Sequence, residues 1–457
     1  MQREKLKSRL GFILLSAGCA IGIGNIWRFP YVVGNNGGGI FVLFYLVFLL
    51  IMGVPLLSME YAIGRASGKS VICAYDELTP DKKFWNIHGK IALLGNYVLM
   101  IFYSSVSGWM GYYFFQYLTG GFENLSTEQV SSRFSDLLAD PVTMMICMLI
   151  MVAGGFLICS IGLQKGVEAI TKYMMLILLG LIVVLAVHSM TLPGGTEGIK
   201  FYLYPDLNKI QDVGLLSVLV AAMNQAFFTL SIGIGAMLIF GSYMDKGKSL
   251  LGESITVAGL DTFVAVMAGL IIFPACFAYG VNPDSGPSLV FITLPNVFSN
   301  MTGGRIWGTL FFLFMTFASL STLIAVFENI MACCMDYFHW SRKKSALINF
   351  FLVAVCSMPC VLGFNLWSSF QPLGEGSTVL DLEDFIVSNL ILPIGSIFIL
   401  LYCVLKSGWG YQNYLKEVNR GDGLKMTENK WILRYFHFIV PVLIVFLVIY
   451  GIAAVFV

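Results

Sequence analysis

Charged residues are scarce in this chain of 457 residues, because Asp, Glu, Lys and Arg make up only 12% of it while 58% is hydrophobic. Soluble domains average about 25% charged residues, so a water-soluble fold is excluded. The net charge of +1 excludes the basic surface needed for nucleic-acid binding. No H-E-x-x-H or zinc-type Cys/His spacing occurs, and every cysteine except Cys73 lies in an apolar run. The sequence therefore predicts no transition-metal site, no disulfide framework and lipid as the solvent.

Long apolar runs make up most of the chain. About 20 residues cross the roughly 30 Å of bilayer hydrocarbon as a helix, and the runs lack the alternation of barrel strands. We therefore predict an all-α integral membrane protein with eleven transmembrane helices. The first run is not read as a signal peptide, because its apolar pattern continues through Phe29 and ten more runs follow. The predicted limits are 11–35, 39–67, 87–118, 142–161, 167–190, 214–242, 250–278, 306–338, 346–363, 384–405 and 432–457.

The basic residues indicate the orientation. With the amino terminus in the cytoplasm, most of the 27 Lys and Arg residues fall in inner loops, as the positive-inside rule requires. The exceptions are Arg28, Arg133, Lys200, Lys209 and Arg305. An odd number of spans then places the carboxyl terminus outside. We expect a multi-pass protein of the cell inner (plasma) membrane.

Two predicted spans share an interrupted pattern. The first contains Ala20-Ile-Gly-Ile-Gly24 and the sixth contains Ser231-Ile-Gly-Ile-Gly235. Because the sixth span comes five spans after the first, the two run antiparallel, and a duplication at this spacing is an inverted repeat, which we predict over 10–190 and 214–405, with helix 432–457 outside it. Paired glycine-interrupted helices are typical of transporter sites, where unwound backbone frees carbonyls for cations. The alternative is that both are close-packing faces of small residues.

Ionisable residues at membrane depth support the functional interpretation. Each costs roughly 2.5–3.5 kcal/mol to insert and indicates either a transport pathway or a paired structural charge. We favour function for Arg28 and Asp261, leave both interpretations open for Glu328, and read Asp336 as the solvated end of a helix unless another role is implied. The residues in or at the ends of predicted spans are Arg28, Glu60, Asp261, Glu328 and Asp384.

Several motifs are spread over essentially the whole chain. The most specific lies in the first span, Gly18-x-Ala20-x-Gly22-x-Gly24-Asn25-x-Trp27-Arg28-Phe29-Pro30, after Arg9-Leu-Gly11. The others are Asn36-Gly-Gly-Gly39, Glu60-Tyr-Ala-x-Gly64-Arg65, Gln225-x-Phe-Phe-Thr229-Leu-Ser231, Phe291-Ile-Thr-Leu-Pro295 and Ala318-x-Leu-Ser321-Thr322. With these motifs the chain resembles the neurotransmitter:sodium symporters, specifically their eleven-span prokaryotic amino-acid transporters.

The resemblance implies two sodium sites made of oxygen ligands, which suit a hard monovalent cation. The first is implied to comprise the Ala20 carbonyl, the Asn25 amide oxygen, Thr229, Asp261 and the substrate carboxylate. The second is implied to comprise the carbonyls of Gly18, Ile21 and Ala318 and the hydroxyls of Ser321 and Thr322. An alternative for the last two is that their hydroxyls bond carbonyls of their own helix.

The resemblance also implies how a substrate is held. Carbonyls of the first and sixth spans, including Ala20, would bind its amino group, and its carboxylate would meet sodium, the Tyr103 hydroxyl and amides near Gly22 and Gly24. Relatives that carry amines have Asp where this chain has Gly22, so the ligand must bring its own carboxylate. The expected lining is Leu99, Phe228, Ser231, Ile234, Leu323 and Val326. Because this lining is largely apolar, we expect a hydrophobic or aromatic L-amino acid.

The resemblance further implies gates. Arg28 would pair with Asp384 outside, over a lid of Tyr103 and Phe228. The inner latch would be Arg3 with Asp336, supported by Tyr243. Glu60 would brace the unwound segments by accepting backbone N–H groups. Alternating opening of the two gates would give alternating access.

Chloride-dependent relatives complete an anion site that is only partly present here. Tyr45, Gln225 and Thr229 match, but Ala265 stands where they have Ser, and Asp261 can supply a fixed carboxylate. We therefore predict a symporter that is driven by two sodium ions and independent of chloride. Leu176, where many relatives have Pro, leaves unwinding of the fifth span open, and the oligomeric state is open too.

Two other classes remain to be distinguished. An ion channel or amino-acid-sensing receptor on the same helices would need a polar stripe along a pore or a ligand-binding loop domain. An enzyme is not predicted, because no nucleophile and base, and no metal-ligand set, fall at one depth. The expected partners are an amino-acid substrate and the lipid bilayer.

Overall fold

The computed structural model describes residues 4–280 and 288–456, and within these two ranges the chain is helical, with one isolated β-bridge and no strand. Nine helices are long and apolar enough to cross a membrane, and one further pair, bent by 57°, forms a broken span. The sixth predicted span is present as two shorter helices. Together these account for the eleven predicted spans, so the all-α membrane fold with broken first and sixth spans is confirmed.

The helix bounds agree with the predicted limits to within a few residues, except at the start of the tenth span. The spans are Arg9–Ala20 with Gly24–Asn35, Gly39–Ser67, Lys83–Thr119, Pro141–Ile161, Leu163–Met190, Leu215–Thr229 with Ala236–Tyr243, Leu250–Ala278, Gly304–Phe338, Arg342–Leu362, Val379–Val404 and Lys430–Ala453. Shorter helices are Val71–Leu78, Thr127–Ala139, Gly195–Leu203, Lys209–Val213, Leu289–Ser299 and Tyr411–Val418.

The first break follows Ala20. Ile21 leaves the helical region with φ −73° and ψ 94°, and the chain resumes as a π-helical turn at Gly24–Arg28. The sixth-span break covers residues 230–235, where Ser231, Gly233 and Gly235 have φ of +50°, +105° and +71°. Such values are left-handed and suit glycine, so the repeated glycine pattern ends the helix here as the sequence predicts.

Close backbone contacts hold the broken spans in place. The buried helix Ala236–Tyr243 packs on the second span, where a Cβ on Gly64 would lie 1.8 Å from the Leu238 carbonyl oxygen. Arg9–Ala20 packs on the seventh and eighth spans, and the eighth also packs along the third. The two breaks are thereby enclosed in the centre of the bundle.

The periphery of the bundle is apolar. Large hydrophobic side chains with more than half of their surface exposed include Leu50, Ile150, Leu157, Val442 and Ile449. In a soluble protein such a surface would aggregate, whereas lipid chains solvate it. The fold is therefore that of a multi-pass membrane protein. The bounds of the inverted repeat and the sidedness of the termini stay predictions.

Candidate functional site

A small cavity of about 30 Å³ lies between the two breaks. Of the predicted side-chain lining, Leu99, Phe228, Ser231 and Ile234 surround it. The other two predicted lining residues, Leu323 and Val326, are not among the described residues that line the cavity. Both are fully buried in the eighth span. A Cβ on Gly155 of the fourth span would lie 3.9 Å from Leu323 Cβ, so Leu323 faces that span instead. The complete lining is Cys19, Ala20, Gly22, Gly24, Asn25, Leu99, Tyr103, Phe228, Thr229, Ser231, Ile234, Thr322 and Leu392.

The glycines of the first break sit against large side chains. A Cβ on Gly22 would lie 2.6 Å from Tyr103 Oη and 2.8 Å from Thr322 Oγ1, and one on Gly24 would lie 2.5 Å from Phe228 Cε1. The Ile23 amide donates to Tyr103 Oη at 3.1 Å. No side chain can extend from position 22 or 24 without displacing the cavity wall.

Three predicted ligands of the first sodium site form one buried cluster. Thr229 Oγ1 donates to Asp261 Oδ2 at 2.7 Å, and Asn25 Nδ2 donates to Asp261 Oδ1 at 2.8 Å. Asn25 Oδ1 accepts from the Gly22 amide at 3.3 Å, and Ala20 lines the adjoining cavity. Because a cation needs oxygen ligands, binding here would require the Asn25 amide to rotate its Oδ1 toward Asp261.

The predicted ligands of the second site also converge. Thr322 Oγ1 lies 3.2 Å from the Gly18 carbonyl oxygen, 3.3 Å from that of Ile21 and 3.4 Å from that of Ala318. Ser321 Oγ donates to the Ala318 carbonyl at 2.9 Å. Both hydroxyls thus bond their own helix, as the alternative interpretation has it, and Thr322 also faces two carbonyls freed by the first break.

Side chains from two other spans hold the sixth-span break. Glu60 Oε1 accepts from the Gly233 amide at 2.5 Å, and its Oε2 accepts from the Leu238 amide at 3.2 Å. His88 Nε2 lies 2.8 Å from the Gly233 carbonyl oxygen, and Asn96 Nδ2 donates to the Ile234 carbonyl at 2.8 Å. Sequence reasoning named Glu60 but missed His88 and Asn96, whose only signal is that they are polar residues in or beside an apolar run.

The side of the cavity near Arg28 is closed by a bridged ion pair. Arg28 Nη1 lies 3.9 Å from Asp384 Oδ1, and Ser388 Oγ joins them, at 3.1 Å from Arg28 Nη1 and 2.7 Å from Asp384 Oδ1. The Arg28 guanidinium also lies over the Phe228 ring, 4.1 Å from its centroid. The structure thus brings the predicted pair together through Ser388, which the sequence did not single out.

On the opposite side the latch of Arg3 with Asp336 stays a prediction, and Tyr243, Glu328 and Arg342 form a buried cluster. Arg3 lies outside the described residues, and Asp336 Oδ2 accepts from the Ser70 amide at 2.7 Å. Tyr243 Oη donates to Glu328 Oε1 at 2.7 Å. Arg342, which the sequence placed in an inner loop, pairs with the fully buried Glu328 at 2.7 and 3.0 Å. Of the two interpretations of Glu328, the structure supports a paired charge.

The amino-terminal segment covers this second closure. The Glu168 carboxylate accepts from the Lys7 amide at 2.7 Å and from the Ser8 amide at 3.1 Å. Lys5 Nζ lies 2.6 Å from Asp245, and the Leu6 amide donates to the Tyr243 carbonyl at 3.3 Å. Among the described residues, the cavity is therefore flanked by the bridged Arg28–Asp384 pair on one side and by a layered network on the other.

The anion-site positions differ in their surroundings. Ala265 is fully buried, and the Thr229 hydroxyl is committed to Asp261. The Gln225 side-chain amide is buried and has no hydrogen-bond partner among the described residues. The Asp261 carboxylate is therefore hydrogen-bonded to Thr229, one of the residues that match the chloride site of chloride-dependent relatives.

Two broken helices that flank a central cavity, with clusters of buried oxygen atoms beside it, are the arrangement of a secondary membrane transporter. The chain belongs to the sodium:neurotransmitter symporter family, whose model matches residues 3–137 and 126–456. The predicted family is thus confirmed. The members are transporters, so the chain is a sodium-dependent transporter of a small molecule and not an enzyme, with sodium as the coupling ion.

Named relatives agree with this assignment. The chain is 34% identical over 448 residues to the uncharacterized sodium-dependent transporter YhdH of Bacillus subtilis, with 97% of each chain covered. It is 27% identical over 417 residues to the sodium- and chloride-dependent taurine transporter of the dog, covering 80% of this chain and 66% of that one. The crystal structure of MhsT in complex with L-phenylalanine superimposes with a TM-score of 0.88 at 36% identity, covering 98% of this chain and all of MhsT.

Proposed function

We propose that this transporter imports a hydrophobic or aromatic L-amino acid together with two sodium ions, by alternating access and without chloride. The observation that carries the proposal is that two separate groups of oxygen atoms, around Asp261 and around Thr322, lie beside one cavity at the paired breaks. A cation at the Asp261 group would lie between that carboxylate and the carboxylate of a bound amino acid, and a second cation at the Thr322 group would balance the remaining negative charge.

The substrate class follows from the cavity walls. Gly22 and Gly24 leave the first break without a fixed negative side chain, so the ligand's own carboxylate has to complete the site. Leu99, Phe228 and Ile234 form apolar walls, which reject charged side chains strongly but discriminate single methylene groups by only about 1–3 kcal/mol. The solved complex of MhsT with L-phenylalanine is consistent with an aromatic member of this class.

Two sodium ions give a useful driving force. One charge moved through 100 mV yields about 2.3 kcal/mol, so two ions with a zwitterion yield about 4.6 kcal/mol. At about 1.4 kcal/mol per decade this supports accumulation of about 10³-fold. A single sodium ion would give only about the square root of that ratio.

Independence of chloride follows from Asp261. A carboxylate 2.7 Å from the Thr229 hydroxyl supplies the negative charge that chloride provides in other transporters and repels an anion at the same place. We expect uptake to be unchanged when chloride is replaced by gluconate at constant sodium. A loss of more than about half of the uptake would contradict this part of the proposal.

Proteoliposome uptake tests the whole proposal. We expect radiolabelled L-phenylalanine or L-leucine to accumulate with an inward sodium gradient and an inside-negative potential, and not when potassium replaces sodium. The rate should saturate with substrate and rise sigmoidally with sodium. Sodium-independent equilibration would contradict symport, and a single-channel conductance would favour the alternative of an ion channel.

The two closures support a gate on each side of the cavity. With the amino terminus in the cytoplasm, Arg28, Ser388 and Asp384 would form the outer gate. The inner gate would comprise the predicted latch of Arg3 with Asp336 and the cluster of Glu328, Arg342 and Tyr243, beneath the segment from Glu4 to Ser8. The inverted repeats 10–190 and 214–405 would then move against each other around the breaks.

A further inference from the structure

In the six-residue break of the sixth span, backbone N–H and C=O groups lose the hydrogen-bond partners that a continuous helix would give them. Buried groups of this kind cost free energy unless other partners are supplied. Here two partners come from one helix, because His88 and Asn96 lie on the third span, eight residues and therefore about two turns apart. They meet the carbonyls of Gly233 and Ile234, which are consecutive residues.

His88 has a defined orientation. Its Nε2 faces a carbonyl oxygen, which can only accept, so Nε2 carries the proton and Nδ1 accepts from Tyr75 Oη at 2.6 Å. Its ring stacks on Phe398 with centroids 5.7 Å apart and an interplanar angle of 10°. A Cβ on Gly395 would lie 2.0 Å from the Gly233 carbonyl oxygen, so the carbonyl is held between His88 and the tenth span.

Asn96 is fully occupied by hydrogen bonds. Its amide nitrogen donates to the carbonyls of Ala92 at 2.6 Å and Ile234 at 2.8 Å, and its oxygen accepts from Asn329 Nδ2 at 3.0 Å. Asn96 and Asn329 are both fully buried. These three hydrogen bonds fix the orientation of the Asn96 side-chain amide, so that its nitrogen points at the Ile234 carbonyl.

Ile234 is the residue that these contacts orient. It stands between Gly233 and Gly235, two positive-φ glycines whose backbone is permissive by itself. Its side chain lines the cavity and lies against the third span, where a Cβ on Gly95 would be 3.3 Å from Ile234 Cγ2. The direction of the peptide planes on either side of Ile234 therefore sets the position of one cavity wall.

We propose that His88 and Asn96 are positioning residues that determine which amino-acid side chains the transporter accepts, because they hold the Gly233 and Ile234 carbonyls and thereby the Ile234 wall. This inference rests on the proposed function. Neither residue touches the cavity. Their loss is therefore expected to alter the ratio of affinities between substrates of different shape, and not only the affinity for every substrate.

The test compares sodium-dependent binding of L-phenylalanine and L-leucine to the full-length, detergent-purified protein. Asn96→Leu and His88→Leu keep approximate size but remove the donor, and each should change the ratio of the two dissociation constants by about tenfold, or about 1.4 kcal/mol. His88→Gln can still donate to the Gly233 carbonyl and should keep the ratio within about threefold of the wild type. Ser107→Ala is the matched control, since Ser107 lies on the same helix and its hydroxyl bonds the Tyr103 carbonyl of that helix.

The outcomes separate this inference from the function on which it rests. Equal weakening for both amino acids, with an unchanged ratio, would show a merely structural role and overturn the inference alone. If the leucine variants do not fold, Asn96→Ser, which is too short to reach Ile234, replaces them, and an unchanged ratio there is equally decisive. If the wild-type protein binds neither L-phenylalanine, L-leucine nor L-tryptophan with sodium, the proposed function fails and this inference fails with it.

Discussion

Single side chains of this transporter have several partners at once, and Asp261 is the clearest example. It is fully buried and has two donors, Asn25 and Thr229, each from a different broken span. A carboxylate in such a place is costly unless its charge is compensated. In the proposed mechanism sodium supplies the compensating charge. When sodium leaves, Asn25 and Thr229 donate hydrogen bonds to the carboxylate instead.

Replacing this carboxylate should therefore weaken sodium binding at the first site. We expect Asp261→Asn to raise the sodium concentration needed for half-maximal amino-acid binding at least about tenfold, since the ion loses an anionic ligand worth more than about 1.4 kcal/mol. Sodium titration of ligand binding measures this. Thr256→Ala on the same helix removes only an exposed hydroxyl bonded to the Gly252 carbonyl and should bind as the wild type does. Unchanged sodium affinity in Asp261→Asn would refute the first site.

Thr322 provides a separate test of the second site. Thr322→Val keeps the shape but removes the hydroxyl that faces the Gly18 and Ile21 carbonyls. We expect the Hill coefficient for sodium-driven uptake to fall from above one to about one, because only the first site still binds. Thr316→Val is the matched control, because that hydroxyl bonds the Phe312 carbonyl of its own helix. A Hill coefficient that stays above one in Thr322→Val would contradict this assignment.

At the scale of the helical elements, the breaks are stabilised by side chains from unbroken spans. The carboxylate of Glu60 lies within hydrogen-bond distance of one amide inside the gap, at Gly233, and one in the first turn of the following helix, at Leu238. The break is therefore a rigid feature with a defined geometry, and its glycines serve both conformation and close packing.

This makes position 233 intolerant of a side chain. Its φ is +105°, and a Cβ there would lie 2.2 Å from the Leu392 carbonyl oxygen. We expect Gly233→Ala to lower the free energy of unfolding by about 1–3 kcal/mol, which would be measured as a lower melting temperature in detergent. Gly259→Ala, in a continuous helix with no atom within 4 Å of the added Cβ, should be neutral or slightly stabilising. Equal melting temperatures for the two variants would contradict this account of the break.

At the scale of the whole molecule, the two closures differ in strength. The Arg28 and Asp384 side chains are 27% and 39% exposed, whereas Glu328 is fully buried beneath Arg342. Exposed ion pairs contribute about 0–1 kcal/mol, while removing one partner of a buried pair costs about 3–5 kcal/mol. The Arg28 side is therefore expected to open first.

Removing Arg342 should reverse that preference. We expect Arg342→Gln to leave Glu328 buried without its charge partner, to lower the melting temperature and to increase cytoplasmic labelling of the native, buried Cys159, whose carbonyl accepts from Arg342 Nη1 at 3.0 Å. The double variant Arg342→Gln with Glu328→Gln should recover most of the stability, because no uncompensated charge remains. If the double variant is no more stable than the single one, the pair does not hold this closure.

Local signals in the sequence determined the membrane class, the span positions and the two breaks, because apolar run length and repeated glycine interruptions need no knowledge of partners. Asn25 could be named because it belongs to a motif of a recognisable family, and Asp261 because an ionisable residue inside an apolar run indicates a function or a paired charge. His88, Asn96, Arg342 and Ser388 could not be named as site residues, since a single polar residue does not show what it bonds. Only the tertiary structure decided that, because packing brings together groups more than a hundred residues apart, such as Asn96 and the Ile234 carbonyl.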